Sequence, residues 1–225
     1  LSDAADWLKE TTGIPDYRMD HLYGLHATDD LVLALRKISG QEVPEKLERQ
    51  RSQLQDAMLD THFMLGMSRL AIAGDPDMLF GMSSFLKSIG GETCVAVASS
   101  NAAILTEVPT DFVKIGDLED LELLSKGSNL DLIISNSHAV STAQRLGVPI
   151  LRCGFPQWDL IGGYQKTWVG YRGGRQVLFD LANLQLQNHK GEVKPYKSIY
   201  GQKLEYQEGF GNGSTEKADH YGLHH

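Results

Sequence analysis

Polar and aromatic side chains follow several short apolar runs, and these are the residues best placed to contact a ligand. The runs are typical of parallel strands. The carboxyl ends of such strands meet at one edge of a sheet, and ligands bind there, at a topological switch point. The sequence therefore predicts a ligand-facing rim at this edge. Its candidate residues are Asp75, Asn136, His138, Gln157, Trp158 and Asp159.

The turn after the first predicted strand argues against a nucleotide. A dinucleotide site needs Gly-x-Gly-x-x-Gly at this turn, so that the backbone can approach a pyrophosphate. The chain instead has Gly74-Asp75-Pro76-Asp77. Its two carboxylates repel phosphate, and its proline lacks an N–H donor. A structural interpretation fits better, in which Asp75 caps the next helix, Pro76 takes its first position and Asp77 faces the positive end of the helix dipole.

The histidines and cysteines do not have the spacing of a metal or catalytic site. His62 and His138 lie beside polar residues, but neither has a second ligand at zinc spacing. Cys94 and Cys153 are isolated within apolar runs, which favours buried thiols. Neither a Gly-x-Ser-x-Gly elbow nor a Cys/His pair indicates a nucleophile. We therefore expect no catalytic residue and no metal site, and we assign no role to the histidines at 189, 220, 224 and 225.

The composition is that of a packed, acidic protein. Apolar residues make up 41% of the 225 positions and the net charge is -8, while the basic residues are scattered, so nucleic acid is a poor partner. The apolar runs fall far short of the roughly 20 residues that span a bilayer, and the start lacks signal-peptide features. We expect a cytoplasmic protein that binds no membrane, and a sequence that is the interior of a longer chain.

Hydrophobic periodicity predicts alternating strands and helices. The predicted helices lie within residues 6–17, from 27–30 to Gly40, and at 44–65, 77–89, 118–125, 139–146 and 171–187; the predicted strands cover 69–73, 93–98, 112–115, 130–135 and 149–153. Strands that are apolar on both faces imply an α/β fold, a Rossmann-like parallel sheet flanked by helices. The long amphipathic helix at 44–65 is the strongest of these patterns.

The same patterns suggest a division of the chain. We expect residues 1–42 to be the helical end of a preceding domain, 43–66 a bridging helix and 67–188 the Rossmann-like domain. Residues 189–225 contain many Gly, Lys, Glu and Tyr residues and few aliphatic ones. That composition predicts a polar, flexible tail.

Several short motifs together resemble one family. They are Ile38-Ser39-Gly40 with Val43-Pro44, the run from Arg51 to His62, Gly74-Asp75-Pro76-Asp77, Ser135-Asn136-Ser137-His138 and Gly154-Phe155-Pro156. In order and spacing they are similar to the β-type chains of nitrogenase component 1 and its relatives. Within that family, the segments 155–165, 170–173 and 179–183 are most similar to a scaffold subunit on which the iron-molybdenum cofactor is completed. The resemblance covers about residues 24–184.

The resemblance implies the carboxy-terminal part of a β-type subunit, in a heterotetramer with an α-type scaffold subunit. It implies that the cluster cysteines lie in an amino-terminal domain outside this sequence, since neither Cys94 nor Cys153 matches a ligand motif. This chain alone would then bind no cofactor. The full assembly would handle an iron-sulfur cluster and an iron-molybdenum cofactor precursor, with nitrogenase reductase (the iron protein) and other cofactor-assembly proteins as further partners.

Two other functions stay open at this point. The chain could be the β chain of a catalytic nitrogenase or a related reductase. It could also be a stand-alone domain that binds a small molecule at the strand-end rim.

Overall fold

Five parallel strands form one sheet within residues 2–188, the range that the computed structural model of the chain describes. They are β1 (Arg69–Gly74), β2 (Glu92–Ala98), β3 (Lys114–Ile115), β4 (Leu132–Ser135) and β5 (Ile150–Arg152). Their order in the sheet is β3-β2-β1-β4-β5. The order reverses between β1 and β4, which places the topological switch point there. The predicted tail, 189–225, lies outside the described residues.

Helices precede and flank the sheet. They are α1 (Ser2–Thr12), α2 (Gly24–Ser39), α3 (Glu45–Leu65), α4 (Pro76–Ser88), α5 (Leu118–Ser125), α6 (Val140–Leu146) and α7 (Gly170–Gln187). Short 3-10 helices span Ala103–Glu107, Ser137–Ala139 and Gly163–Gln165. The predicted α/β class, a parallel sheet with helices around it, is confirmed.

The central strand β1 is buried on both faces, as its apolar sequence predicts. Leu70 and Ile72 pack into a core with residues of α3, α4 and α7. Ala71 and Ala73 point to the other face, into a second cluster with residues of α5 and α6. Because successive strand residues point to opposite faces, one short run can supply both cores.

The predicted amphipathic helix is α3, and its buried side packs on α7. Leu54, Thr61 and Leu65 are buried, as the spacing predicts, and Ala57 joins them. The two helices approach closely at Gly174, where an added Cβ would lie 3.3 Å from Leu54 Cδ2 and from the Gly24 Cα. A larger residue at 174 would therefore separate α7 from α3.

The predicted start of α2 is wrong. The helix begins at Gly24, before the 27–30 segment expected to cap it. Thr28 is inside the helix, and its hydroxyl donates to the Gly24 carbonyl at 2.6 Å. Asp29 is also inside the helix and so cannot cap it, and its carboxylate pairs with Arg51 of α3. The predicted end is confirmed, since Gly40 adopts φ 66° and its N–H donates to the Arg36 carbonyl.

Some other elements also differ from those predicted. The first helix starts at Ser2, before the predicted Asp6, and ends at Thr12, where Gly13 takes a positive φ of 68°. The predicted strand at 112–115 shrinks to Lys114–Ile115. The 3-10 turn at Ala103–Glu107 had no sequence signal that separated it from a loop. The described residues belong to one compact unit, and the division at 42 and 66 into domains of a longer chain stays a prediction.

Candidate functional site

Four of the six predicted rim residues meet at the carboxyl ends of β4 and β5. They are Asn136, His138, Trp158 and Asp159, and a loop of residues 154–169 follows β5 and connects to α7. The parallel pairing of β4 with β5 brings these segments side by side, with Ser135 opposite Arg152. The parallel pairing of these two neighbouring strands therefore brings the residues that follow them together.

Ser137 is the centre of this cluster. Its hydroxyl donates to Asp159 Oδ1 and accepts from the Trp158 N–H at 3.1 Å. Arg152 Nε donates to Asp159 Oδ2 at 2.8 Å. The hydrogen bond from Ser137, together with the guanidinium of Arg152, holds the pKa of Asp159 below its ordinary value. Asp159 is thus an anion whose two oxygens both have partners.

Asn136 ties the end of β4 to the loop after β5. Its Nδ2 donates to the Phe155 carbonyl at 2.9 Å, and its Oδ1 accepts from the His138 N–H at 3.0 Å. The His138 ring lies 4.3 Å from the Trp158 ring in an edge-to-face arrangement. Such a geometry is favourable for aromatic rings. Trp158 as a whole stays 59% exposed.

Gln157 points back into its own loop. Its Nε2 donates to the Gly154 carbonyl at 2.9 Å, while its Oε1 is buried and has no partner among the described residues. Gly163 lies against that oxygen, because an added Cβ there would be 2.4 Å away. The side chain therefore shapes the loop, and only glycine fits beside it.

Asp75 lies apart from these residues, at the ends of β1 and β2. It occupies the position before α4 and Pro76 takes the first helical position, as predicted. The capping interpretation of its side chain is wrong, however. Its carboxylate accepts from the Ser99 hydroxyl at 3.0 Å and from no α4 amide. The pair joins two neighbouring strand ends.

Met78 lies between the ends of β1 and β5. An added Cβ at Gly74 would lie 2.3 Å from its Cε, and one at Gly154 would lie 3.0 Å from its Sδ. Met78 is buried. In dinucleotide-binding sheets, the ligand occupies the crevice at the strand ends. In this chain the Met78 side chain packs close to that edge, against Gly74 and Gly154, and the absence of a dinucleotide role stays a prediction.

The two cysteines do not fit an iron-sulfur cluster, which is held by thiolates. Burial raises the pKa of Cys153 to about 12. Burial, with the charge of Glu92, also raises the pKa of the half-buried Cys94. Within residues 2–188, no three His, Cys, Asp or Glu side chains are grouped to hold a metal ion.

Sequence reasoning missed the residues that hold the rim together. Ser137 and Ser99 lie within the strand-end segments. The sequence around a serine does not show which distant acid its hydroxyl will contact, here Asp159 and Asp75 respectively. Arg152 and Asp159 are seven positions apart, on either side of a turn, which is a spacing that helical or strand periodicity does not reveal. A ligand role for the rim residues stays a prediction.

In the described part of the chain, every helix is too short or too polar to cross a bilayer.

The sheet order and the hydrogen bonds at the strand ends define a Rossmann-like α/β protein whose strand ends support a loop. The chain belongs to the nitrogenase component 1 type oxidoreductase family, whose sequence profile matches residues 1–186.

Several curated relatives carry the name nitrogenase iron-molybdenum cofactor biosynthesis protein NifN. The protein from Bradyrhizobium diazoefficiens is 43% identical over 87% of this chain and 42% of its own length. The Nostoc sp. protein is 42% identical over 87% of this chain and 44% of its own length. The Klebsiella pneumoniae protein is 42% identical over 76% of this chain and 37% of its own length. The chain thus spans less than half the length of these relatives.

A solved structure, nitrogenase Cp1 at pH 6.5, has the same fold. It superposes with a TM-score of 0.78 on 87% of this chain and 45% of its own, at 29% identity.

Proposed function

We propose that this chain is part of a scaffold on which the nitrogenase iron-molybdenum cofactor is assembled, and that it acts with an α-type partner subunit. The observation that carries the proposal is the 43% and 42% identity to two proteins named for that biosynthesis, each over 87% of the chain. Identity of this size across nearly the whole described unit supports a shared role as well as a shared fold.

The strand-end cluster supports a structural role for this part of the scaffold. A catalytic serine needs a base that is free to take its proton. The Ser137 hydroxyl instead donates to an Asp159 carboxylate that Arg152 also holds. Both partners favour the ionised carboxylate, which makes it a weak base. In this proposal the chain positions other parts of the assembly and does not perform the chemistry.

The cofactor precursor is cargo in this proposal. Neither Cys94 nor Cys153 belongs to a group of three His, Cys, Asp or Glu side chains in the described part of the chain, so in this proposal the ligands of any cluster come from other parts of the assembly. The proposed partners are the α-type subunit, in a heterotetramer, together with nitrogenase reductase and other assembly proteins. A cytoplasmic location belongs to the same proposal.

A chimera tests the proposal in the context of a whole subunit. The region of the Bradyrhizobium diazoefficiens relative that matches this chain is replaced by this chain, and the product is co-expressed with the α-type partner. We expect the chimera to co-purify with that partner and to bind iron at the level of the unmodified relative. A chimera with Leu54→Asp, which places a charge at a fully buried position, serves as the negative control. A well-folded chimera that binds the partner but takes up no iron would exclude the scaffold role.

The likeness to nitrogenase Cp1 favours a second candidate, the β chain of a catalytic nitrogenase. Its lower identity, 29%, is the reason that we rank it second. The two functions differ in what the assembled protein does with its reductase. Sustained substrate reduction would indicate the catalytic chain, whereas transfer of a completed cofactor to an apo-enzyme would indicate the scaffold.

A further inference from the structure

A cleft of about 290 Å³ beside the start of α7 is lined by three cations and no acid. The cations are Lys166, Arg172 and Arg175, and the other lining residues are Gly162, Gln165, Thr167 and Gln176. The chain as a whole carries a net charge of -8. Positive charge gathered in one concave site raises the local concentration of anions. This contrast with the rest of the chain marks the cleft as a candidate anion site.

One acid behind the cleft fixes two of its donors. Asp180 Oδ2 accepts from Lys166 Nζ at 2.7 Å, and Asp180 Oδ1 accepts from Gln176 Nε2 at 2.8 Å. Three cations and this single carboxylate leave a net charge of +2. Donors that are already held in place lose little conformational entropy when a ligand binds.

Arg175 is held by a neutral group. Its Nη1 donates to Gln53 Oε1 on α3. An amide oxygen orients the guanidinium without cancelling its charge. Four N–H donors of the planar group remain for other acceptors.

Arg172 has no hydrogen bond or ion pair to another residue within 2–188, and it is exposed. Its guanidinium presents donors in a fork that matches the oxygens of a carboxylate or phosphate. The first turn of α7, on which it lies, has no side-chain cap. The partial positive charge of that turn adds to the three full charges.

We propose that this cleft binds a small multivalent oxyanion, a phosphate or a polycarboxylate, through Lys166, Arg172 and Arg175. The volume suits a compact ligand and is at the lower limit of typical ligand pockets, about 300 Å³. The proposal goes beyond the scaffold function and does not depend on it, since it concerns a separate site in this chain.

Calorimetric titration of the 225-residue chain with inorganic phosphate, and separately with citrate, tests the proposal at low ionic strength. We expect saturable binding at one site. The anion that binds more tightly shows whether the cleft prefers a phosphate or a polycarboxylate. Arg172→Gln should weaken binding by about tenfold or more, because a hydrogen bond to a charged group is lost. Arg49→Gln removes the same charge from an exposed position on α3, where Arg49 pairs with Glu45, and should weaken binding by less than about twofold.

Two results would overturn the proposal. One is the absence of saturable binding of either anion up to about 10 mM, a concentration well above the dissociation constant of any useful site. The other is an equal loss of affinity in the Arg172→Gln and Arg49→Gln variants, which would indicate a diffuse effect of net charge. Because Arg172 contacts no other described side chain by a hydrogen bond, its variant should fold normally. Circular dichroism of both variants checks this.

Discussion

The Tyr171 hydroxyl donates a hydrogen bond to Oδ1 of Asp29 at 2.6 Å and so ties the first turn of α7 to α2. Arg51 of α3 donates to the other oxygen of the same carboxylate, with an Nη2–Oδ2 distance of 2.8 Å. Three helices therefore meet at one acid. Burial opposes ionisation of Asp29, but Arg51 and Tyr171 outweigh it and hold the pKa of Asp29 below its ordinary value of 3.8.

Removal of the Tyr171 hydroxyl should destabilise the chain in a pH-dependent way. Tyr171→Phe is expected to lower the free energy of unfolding by about 1 kcal/mol at neutral pH. A lowered pKa in the folded state stabilises the protein above the unfolded-state pKa, and this stability is lost as the pH falls through the folded-state value. The penalty should therefore shrink below about pH 4. Urea unfolding of wild type and variant at neutral and acidic pH measures it.

Tyr164→Phe is the matched control, since the Tyr164 side chain is 79% exposed. It should change stability by less than about 0.5 kcal/mol at either pH. An equal penalty for Tyr171→Phe at both pH values would contradict the role assigned to Asp29.

Two leucines on α3 test which side of that helix is packed. Leu54 is fully buried, whereas Leu59 is 74% exposed. Leu54→Ala should lower the free energy of unfolding by about 2–5 kcal/mol, because it removes buried methyl groups and leaves a cavity. Leu59→Ala should change it by less than about 0.5 kcal/mol. Chemical denaturation of both variants gives the comparison, and similar losses would mean that α3 packs differently.

Two glycines with nearly the same backbone angle test the packing of Met78 against the loop after β5. Gly154 has φ 78° and Gly162 has φ 75°, but only Gly154 lies against Met78. Alanine at either position should cost about 1–2 kcal/mol in backbone strain. Gly154→Ala should cost about 1 kcal/mol more, since its Cβ crowds the Met78 sulfur.

Thermal or urea unfolding of both glycine variants measures this difference. Met78→Ala should remove the extra penalty when it is combined with Gly154→Ala, because the crowding atom is gone. Equal penalties in the two single variants would mean that Met78 does not pack against Gly154.

The support of the loop after β5 depends on Ser137. Ser137→Ala removes a donor to Asp159 and the acceptor of the Trp158 N–H. It should lower the free energy of unfolding by about 1–3 kcal/mol and speed hydrogen exchange at the Trp158 amide. Ser141→Ala, at an exposed position on α6, is the control and should leave exchange in the loop unchanged. Unchanged exchange at Trp158 in the Ser137 variant would contradict the role of this hydroxyl.

Much of the fold could be predicted because its signals are local. The predicted bounds of α5 match the structure, and Asp117 explains why. It forms a capping box with Asp120, in which each side chain accepts from the other's backbone N–H. Pro76 and Gly40 mark a helix start and a helix end by their backbone restrictions alone. Residues 70–73 read as a strand because both faces are apolar.

Contacts between residues far apart in the sequence could not be predicted in the same way. Asp29 has the sequence context of a helix start, but its partners lie 22 and 142 positions away. Asp75 likewise pairs with Ser99, 24 positions on. Such pairs depend on which strands and helices become neighbours, so they follow from the topology and not from a local pattern. Met78 belongs to an ordinary apolar helix face, and only the sheet order shows that it packs against both Gly74 and Gly154.

Maturation of apo-nitrogenase tests the scaffold function most directly. The chimera, purified with its α-type partner and loaded with precursor, is mixed with apo-nitrogenase, and the substrate reduction that appears is measured. The scaffold function predicts activation comparable to that given by the unmodified Bradyrhizobium diazoefficiens relative. An intact chimeric complex that carries iron but activates no apo-nitrogenase would contradict it, and substrate reduction by that complex without any apo-enzyme would favour the catalytic chain.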